Sequence, residues 1–179
     1  MGEAHYDHKR DLRRRLVSAR RALAREVVER LSAVACGHLL GNVGVSRGRW
    51  FVAYVAMDGE VDPAIALQAA VRGGRRPGLP RVTADGIEFL AVAADLSPGW
   101  KGIPEPPATS ARCPANEAAT IVVPGLAFDP RGHRLGRGGG HYDRALAHYP
   151  LATRVGLAFE LQVIDEVPTE PWDVAMHFV

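Results

Sequence analysis

The chain has 179 residues, 47% hydrophobic and 23% charged, which suits one compact domain with a substantial core and excludes a disordered chain. No apolar run nears the roughly 20 residues that span a bilayer; the N-terminal "MGEAHYDHKR" lacks the apolar stretch of a secretory signal, so a cytoplasmic protein without a membrane partner is expected. The net charge of +2 is uneven: residues 9–30 hold nine Lys/Arg against three Asp/Glu, which argues against a nucleic-acid-coated surface but leaves room for one polyanion site.

Residues 7–40 carry a helical pattern broken near Ala24. Leu12, Leu16, Leu23, Val27, Val28, Leu31 and Val34 recur at helical spacing, with arginines opposite. Cys36 and Cys113 fall outside any metal-ligand spacing and read as reduced thiols. "RWFVAYVAM" (49–57) is an aromatic, β-branched strand. A helix follows over 62–74, with Asp62 as N-cap, Pro63 at the first position and Gly73–Gly74 as the stop. Strands at 76–82 and 87–93 flank the "TADG" turn, and a Pro-rich loop runs from Ser97 to Pro114. Then come a strand at 119–128, a glycine loop, a helix at 142–149, and strands at 154–160 and 175–179. Alternating strands and helices predict a single domain over 1–179: an α/β three-layer sandwich with a mostly parallel central sheet, Rossmann-like, preceded by basic helices.

The glycine loop, "RLGRGGGHYDR" (Arg134–Arg144), fails both the G-x-G-x-x-G and the Walker A spacing. The physics behind those motifs remains. Gly138, Gly139 and Gly140 follow a buried strand and precede a short helix, so backbone N–H groups can form a nest around a phosphate. The positive end of that helix would add to the attraction. Arg134 and Arg137 supply bidentate donors to phosphoryl oxygens. Asp143 is placed for a Mg²⁺ that bridges phosphates, with a second carboxylate from Asp165, Glu166, Glu170 or Asp173. A glycine-rich surface turn with solvated arginines is the alternative reading of the same residues.

"PGLAFDPRGHRLGRGGGHYDR" resembles the signature of the 5-formyltetrahydrofolate cyclo-ligase (5,10-methenyltetrahydrofolate synthetase) family. "KRDLR" (9–13), "MDGEVD" (57–62), "LPRV" (79–82), "GIPEP" (102–106) and "Q…VP…D" (162–173) resemble its other motifs in order and spacing. The resemblance implies a monomeric, ATP- and Mg²⁺-dependent ligase acting on small molecules: it closes 5-formyltetrahydrofolate to the 5,10-methenyl form and releases ADP and phosphate through an N5-iminium phosphate. Carried over by position, it implies an ATP site of Lys9, Arg10 and Arg13 together with Arg134, Leu135, Gly136, Arg137, Gly138, Gly139, Gly140, His141 and Tyr142. Arg137, Gly139 and His141 would border the reacting formyl group as catalytic residues. Val55, Glu60, Trp100, Arg137 and His141 would contact the folate, with Ile103 beside Trp100, and Asp143 and Asp173 would hold Mg²⁺.

The chain departs from the family pattern where His141 stands for a tyrosine, where Gly139 stands for the lysine of some members, and where Pro63 follows "EVD". His141 can still stack or donate, and an imidazole can titrate near neutrality. Three other readings stand beside the ligase: a phosphosugar or CoA-ester binder using the same loop, a nucleic-acid-binding protein using the basic helix, and a paralogue without catalysis.

Overall fold

A computed structural model describes residues 2–42, 48–92 and 95–179. Helices α1 (Gly2–Arg21) and α2 (Arg25–Asn42) occupy the N-terminal helical pattern. They part where expected: Leu23 N–H reaches only three residues back, to Arg20 O, and Ala24 O becomes the first acceptor of α2. The strand expected at 49–57 is only β1 (Trp50–Val52); Ala53 N–H still reaches Gly78 O at 3.0 Å, and the chain then runs to a turn with positive φ at Asp58 and Gly59. Helix α3 (Ala64–Arg72) is capped by Pro63 rather than Asp62, although the Asp62 carboxylate accepts the Ala64 N–H at 3.0 Å. The hairpin of β2 (Arg76–Thr83) and β3 (Gly86–Ala91) forms as expected; the predicted end of its second strand, Ala93, lies outside the described residues.

Within the Pro-rich loop, β4 (Ser97–Pro98) pairs with β5 (Pro104–Glu105) across a single 3-10 turn at Trp100–Gly102. The long apolar run divides into β6 (Ala118–Val123) and β7 (Ala127–Phe128). Pro124 has no N–H to continue a ladder, and a Cβ on Gly125 would meet the Phe128 ring at 2.6 Å. A two-residue ladder joins β7 to β8 (Arg134–Leu135), and α4 (His141–Leu146) is shorter than the helix expected at 142–149. Strand β9 (Thr153–Gly156) ends at Gly156 instead of 160, and the strand expected at 175–179 is only a bridge between Val155 and Phe178.

The sheet order is β3-β2-β1-β6-β9, parallel except for β3. Alternate residues of the central strands feed opposite faces. Phe51 and Val122 pack with Cys36, Leu39 and Ala66 of α2 and α3. Trp50, Val52, Ile121 and Val123 pack with Ala145 and Leu146 of α4. Because helices cover both faces, β6 is buried at every position and its sequence is apolar throughout instead of alternating. This is the three-layer α/β arrangement anticipated above.

One buried carboxylate fixes the approach to the glycine loop. Asp129, just past β7, accepts the N–H groups of Arg131, His133 and Val167 and faces His133 Nδ1, each at 3.0 Å. Burial alone would raise its pKa; the Val167 and His133 donors outweigh that and hold it below the ordinary value. A depressed carboxyl pKa gives stability that is present above the unfolded value and lost as pH falls through the folded one. Asp129→Asn is therefore expected to cost about 1–3 kcal/mol near neutral pH. Urea unfolding of both proteins should show that gap narrowing below about pH 4.

Candidate active site

Parallel strands β1 and β6 lie side by side, yet the chain leaves β1 toward β2 on one side and reaches β6 on the other. Such a reversal opens a crevice beyond the carboxyl ends of the strands. Here it is a cavity of about 470 Å³. Four segments wall it: the turn after β1, Pro124–Gly125 after β6, the Pro-rich lid and the glycine loop. Lys9 and Arg13 of α1 and residues 168–173 close it.

One wall is apolar. Pro80 and Val82 of β2, Ile87 of β3, and Trp100 and Ile103 of the lid supply it, with Val55 and Met57 from the turn. The lid is pinned from beneath by Glu105, which is buried and accepts the Trp100 backbone N–H at 3.0 Å. Its carboxylate leaves no room for a Cβ on Gly99, which accounts for the glycine in "SPGWKGIPEP". Trp100 remains 42% exposed at the mouth.

The opposite wall is cationic, and its cations are already engaged. Lys9 Nζ donates to Glu170 Oε1 at 2.9 Å, and Arg13 Nε to Gly136 O at 3.0 Å. Arg134 Nη2 reaches both oxygens of Asp143 at 2.9 Å. Arg137 spans Asp58 Oδ2 (3.0 Å) and Glu60 Oε1 (3.2 Å). Asp143 also accepts the Val174 N–H at 3.3 Å, and Asp173 the Glu170 N–H at 2.8 Å. Gly138 and Gly140 adopt positive φ, +101° and +62°, which turns the backbone of the loop tightly. Helix α4 spans only six residues, so any anion bound here would be held by backbone N–H groups and arginines rather than by a helix end.

Glu60 is a buried acid of the cavity. Burial raises its pKa, and the charges of Arg20 and Arg137 with the Met57 N–H oppose the rise. Tyr142 is raised in the same way, by burial first and by Glu60 second, and stays neutral. His141 sits over the loop: a Cβ on Gly139 would come within 2.7 Å of its ring, and its Nδ1 lies 3.3 Å from Arg144 Nη2.

The structure thus brings Lys9, Arg13, Val55, Glu60, Trp100, Ile103, residues 134–143 and Asp173 to one cavity. Arg10 is the exception; it is exposed on α1 and does not line it. Asp165 and Glu166 do not line it either, whereas Glu170 does, as the partner of Lys9. Sequence reasoning passed over Tyr54, Met57, Pro168 and Trp172, whose apolar character matches core or surface residues elsewhere. Arg20, expected with Arg14, Arg15 and Arg21 on a solvated helix face, is instead buried, held by the Asp58 and Gly125 carbonyls, and Asp58 itself was given no role.

Fold and cavity together define an α/β protein whose cavity joins a glycine- and arginine-rich loop to an apolar wall. A sequence model of the 5-formyltetrahydrofolate cyclo-ligase family matches residues 5–179, and the chain belongs to that family. It is 36% identical to the 5-formyltetrahydrofolate cyclo-ligase of Mycolicibacterium smegmatis, over 96% of this chain and 92% of that one. It is 30% identical to the Escherichia coli K12 5-formyltetrahydrofolate cyclo-ligase, over 89% and 92%. The NMR structure of Aquifex aeolicus 5,10-methenyltetrahydrofolate synthetase superposes with a TM-score of 0.80 at 33% identity, covering 94% of this chain and 86% of that one. The Mycoplasma pneumoniae 5,10-methenyltetrahydrofolate synthetase shares the fold, with a TM-score of 0.71 at 22% identity over 95% and 96%. No helix among the described residues is long and apolar enough to cross a membrane.

Gly138→Ala is expected to weaken binding of inorganic triphosphate by roughly tenfold, since an L-residue there strains the loop by about 1–2 kcal/mol. The same strain is expected to lower the melting temperature by a few degrees. Calorimetric titration showing an unchanged Kd would remove the loop from anion binding.

Proposed function

We propose that this chain converts 5-formyltetrahydrofolate into 5,10-methenyltetrahydrofolate, using ATP and releasing ADP and phosphate, as a monomer in the cytoplasm. One observation carries the reading: an anion cradle and an apolar, carboxylate-bearing wall open into the same cavity. A phosphoryl donor and a flat, partly apolar pterin can meet there. A phosphosugar has no apolar face to fill the wall of Val82, Ile87, Trp100 and Ile103. The basic helix is a poor nucleic-acid platform, because Arg14, Arg21 and Arg25 are paired with Asp11, Asp58 and Glu29 and no aromatic stack is interleaved with them.

The formyl oxygen of the substrate attacks the γ-phosphorus, ADP leaves, and N5 carries an iminium phosphate. N10 then attacks the activated carbon and loses its proton, and the C–O bond breaks as inorganic phosphate departs. The protein's contribution is positioning and charge stabilisation. Lys9, Arg13 and the loop from Arg134 to Tyr142 hold the nucleotide, with Arg10 at the outer edge of α1. Arg137 exchanges Asp58 and Glu60 for the transferring phosphoryl group. Glu60 accepts hydrogen bonds from pterin N–H groups, and Val55 and Trp100 pack against the ring. Gly139 lets the backbone approach the formyl group, and His141 borders it.

Asp143 and Asp173 fit a Mg²⁺ ion of a particular kind. Asp143 and Asp173 both line the cavity, and Mg²⁺ typically takes one or two protein carboxylates, with substrate oxygens and water making up the rest. Bound there, the ion would neutralise charge on the phosphates. Asp143 would share its carboxylate between the ion and Arg134.

Incubation with 5-formyltetrahydrofolate, ATP and Mg²⁺, followed by the absorbance of the methenyl product, tests the reading; no product with all three present sinks it. Asp143→Ala is expected to abolish Mg²⁺-dependent turnover. Arg137→Ala should lower kcat/KM for ATP by about 2–4 kcal/mol, or roughly a hundredfold, as for loss of one charge-assisted contact in a transition state.

A further inference from the structure

Among the described residues Arg20 is the largest fully buried charged side chain, 1% exposed, and neither nucleotide binding nor ring closure uses it. It leaves α1 at the break before α2 and crosses beneath the turn after β1. Two carbonyls from different loops fix it: Nε donates to Asp58 O at 3.0 Å, and Nη1 to Gly125 O at 3.4 Å. Its remaining nitrogen, Nη2, has no hydrogen-bond partner among the described residues and lies 3.6 Å from Glu60 Oε1.

The same oxygen faces Arg137 Nη2 at 3.2 Å, while Glu60 Oε2 accepts the Met57 N–H at 3.1 Å. Glu60 therefore has two cations of opposite character. Arg137 rides on the exposed glycine loop; Arg20 is clamped in the interior. The other ionisable neighbours give Glu60 no support: Asp58 is a like charge, engaged by Arg21 and Arg137, and Tyr54 and Tyr142 are held neutral by burial.

We propose that Arg20 is a positioning residue for the folate site: it is the fixed cation that keeps the Glu60 carboxylate charged and aimed into the cavity when Arg137 turns to a phosphoryl group. The proposal rests on Glu60 as the acceptor for pterin N–H groups. Without Arg20, the carboxylate left behind by Arg137 is a buried charge with only one N–H for company, and it takes up a proton. A protonated Glu60 has lost the paired acceptor sites that a pterin edge requires. Arg20 thus lets one arginine move without disabling the acid it leaves.

The test is the Kd of 5-formyltetrahydrofolate, by calorimetric titration, as a function of pH, with saturating inorganic triphosphate present to draw Arg137 away from Glu60. In the native protein binding should weaken on the acid side, where Glu60 protonates. Arg20→Met should move that limb up by about one to three pH units, with binding on the limb about tenfold weaker for each pH unit it moves. Arg20→Lys should bring the limb most of the way back, and the Kd for ATP should keep its pH dependence in both. A merely structural role would lower the melting temperature and leave the limb where it was, and an unmoved limb in folded Arg20→Met overturns the proposal. Native protein that binds no folate at any pH overturns the folate reading of the site as well. Should Arg20→Met not fold, Arg20→Met/Glu60→Gln, with no buried carboxylate to compensate, is expected to fold. Failure of the double variant too would make Arg20 a structural residue and overturn the proposal.

Discussion

Glu60 holds a carboxylate out of water between two guanidinium groups, and the arrangement of the cavity follows from keeping that charge satisfied. An isolated buried carboxylate is costly. The turn after β1 therefore meets α1 through Arg20 and the glycine loop through Arg137. Those contacts tie together the N-terminal helix, the end of the first strand and the phosphate cradle, three parts far apart in the chain. Shape and charge of the site are set by one network.

Pairing extends to the rest of the cationic wall. Lys9, Arg13, Arg134 and Arg137 all meet a carboxylate or a carbonyl within 3.2 Å. Four uncompensated cations in a concave site would repel one another and destabilise the fold; paired, they remain in place and can exchange partners when a polyanion enters. The stronger field of a triphosphate and its metal would then draw on groups already close to their working positions, which is what preorganisation requires. The apolar wall needs no exchange. It is held by the β2–β3 hairpin and by a lid whose buried carboxylate, Glu105, is spent on the backbone of Trp100 and on Arg81.

Much of this was legible in the residues. Central strands buried on both faces read as apolar runs, the helix break near Ala24 was visible in the periodicity, and "RLGRGGGHYDR" stood out as a site loop, and its residues 134–143 do line the cavity. Strand ends were less legible. Pro124 and Gly125 stop β6 because one lacks a donor and the other lies against Phe128, an effect of packing rather than of propensity. The last segment pairs through a single bridge at Phe178, although its composition suits a strand. Arg20 was illegible for a different reason. In sequence it is one of several arginines on a helix, and only the tertiary fold shows that this one is buried while Arg21 beside it is exposed. Arg10 differs from its neighbour in the same way: it lies next to Lys9 in the chain but is exposed and does not line the cavity. Two of the departures from the family pattern, Gly139 and His141, lie against each other, the ring of His141 occupying the space beside Gly139.

The central claim is that one cavity couples phosphoryl transfer to closure of the folate ring. The measurement that tests it most directly is the stoichiometry of a single reaction, with ADP and 5,10-methenyltetrahydrofolate quantified together. Coupling at one site predicts equal amounts of the two products at every time point, and no ADP when 5-formyltetrahydrofolate is left out. ADP formed at the same rate without the folate, or methenyl product formed without ADP, would contradict it.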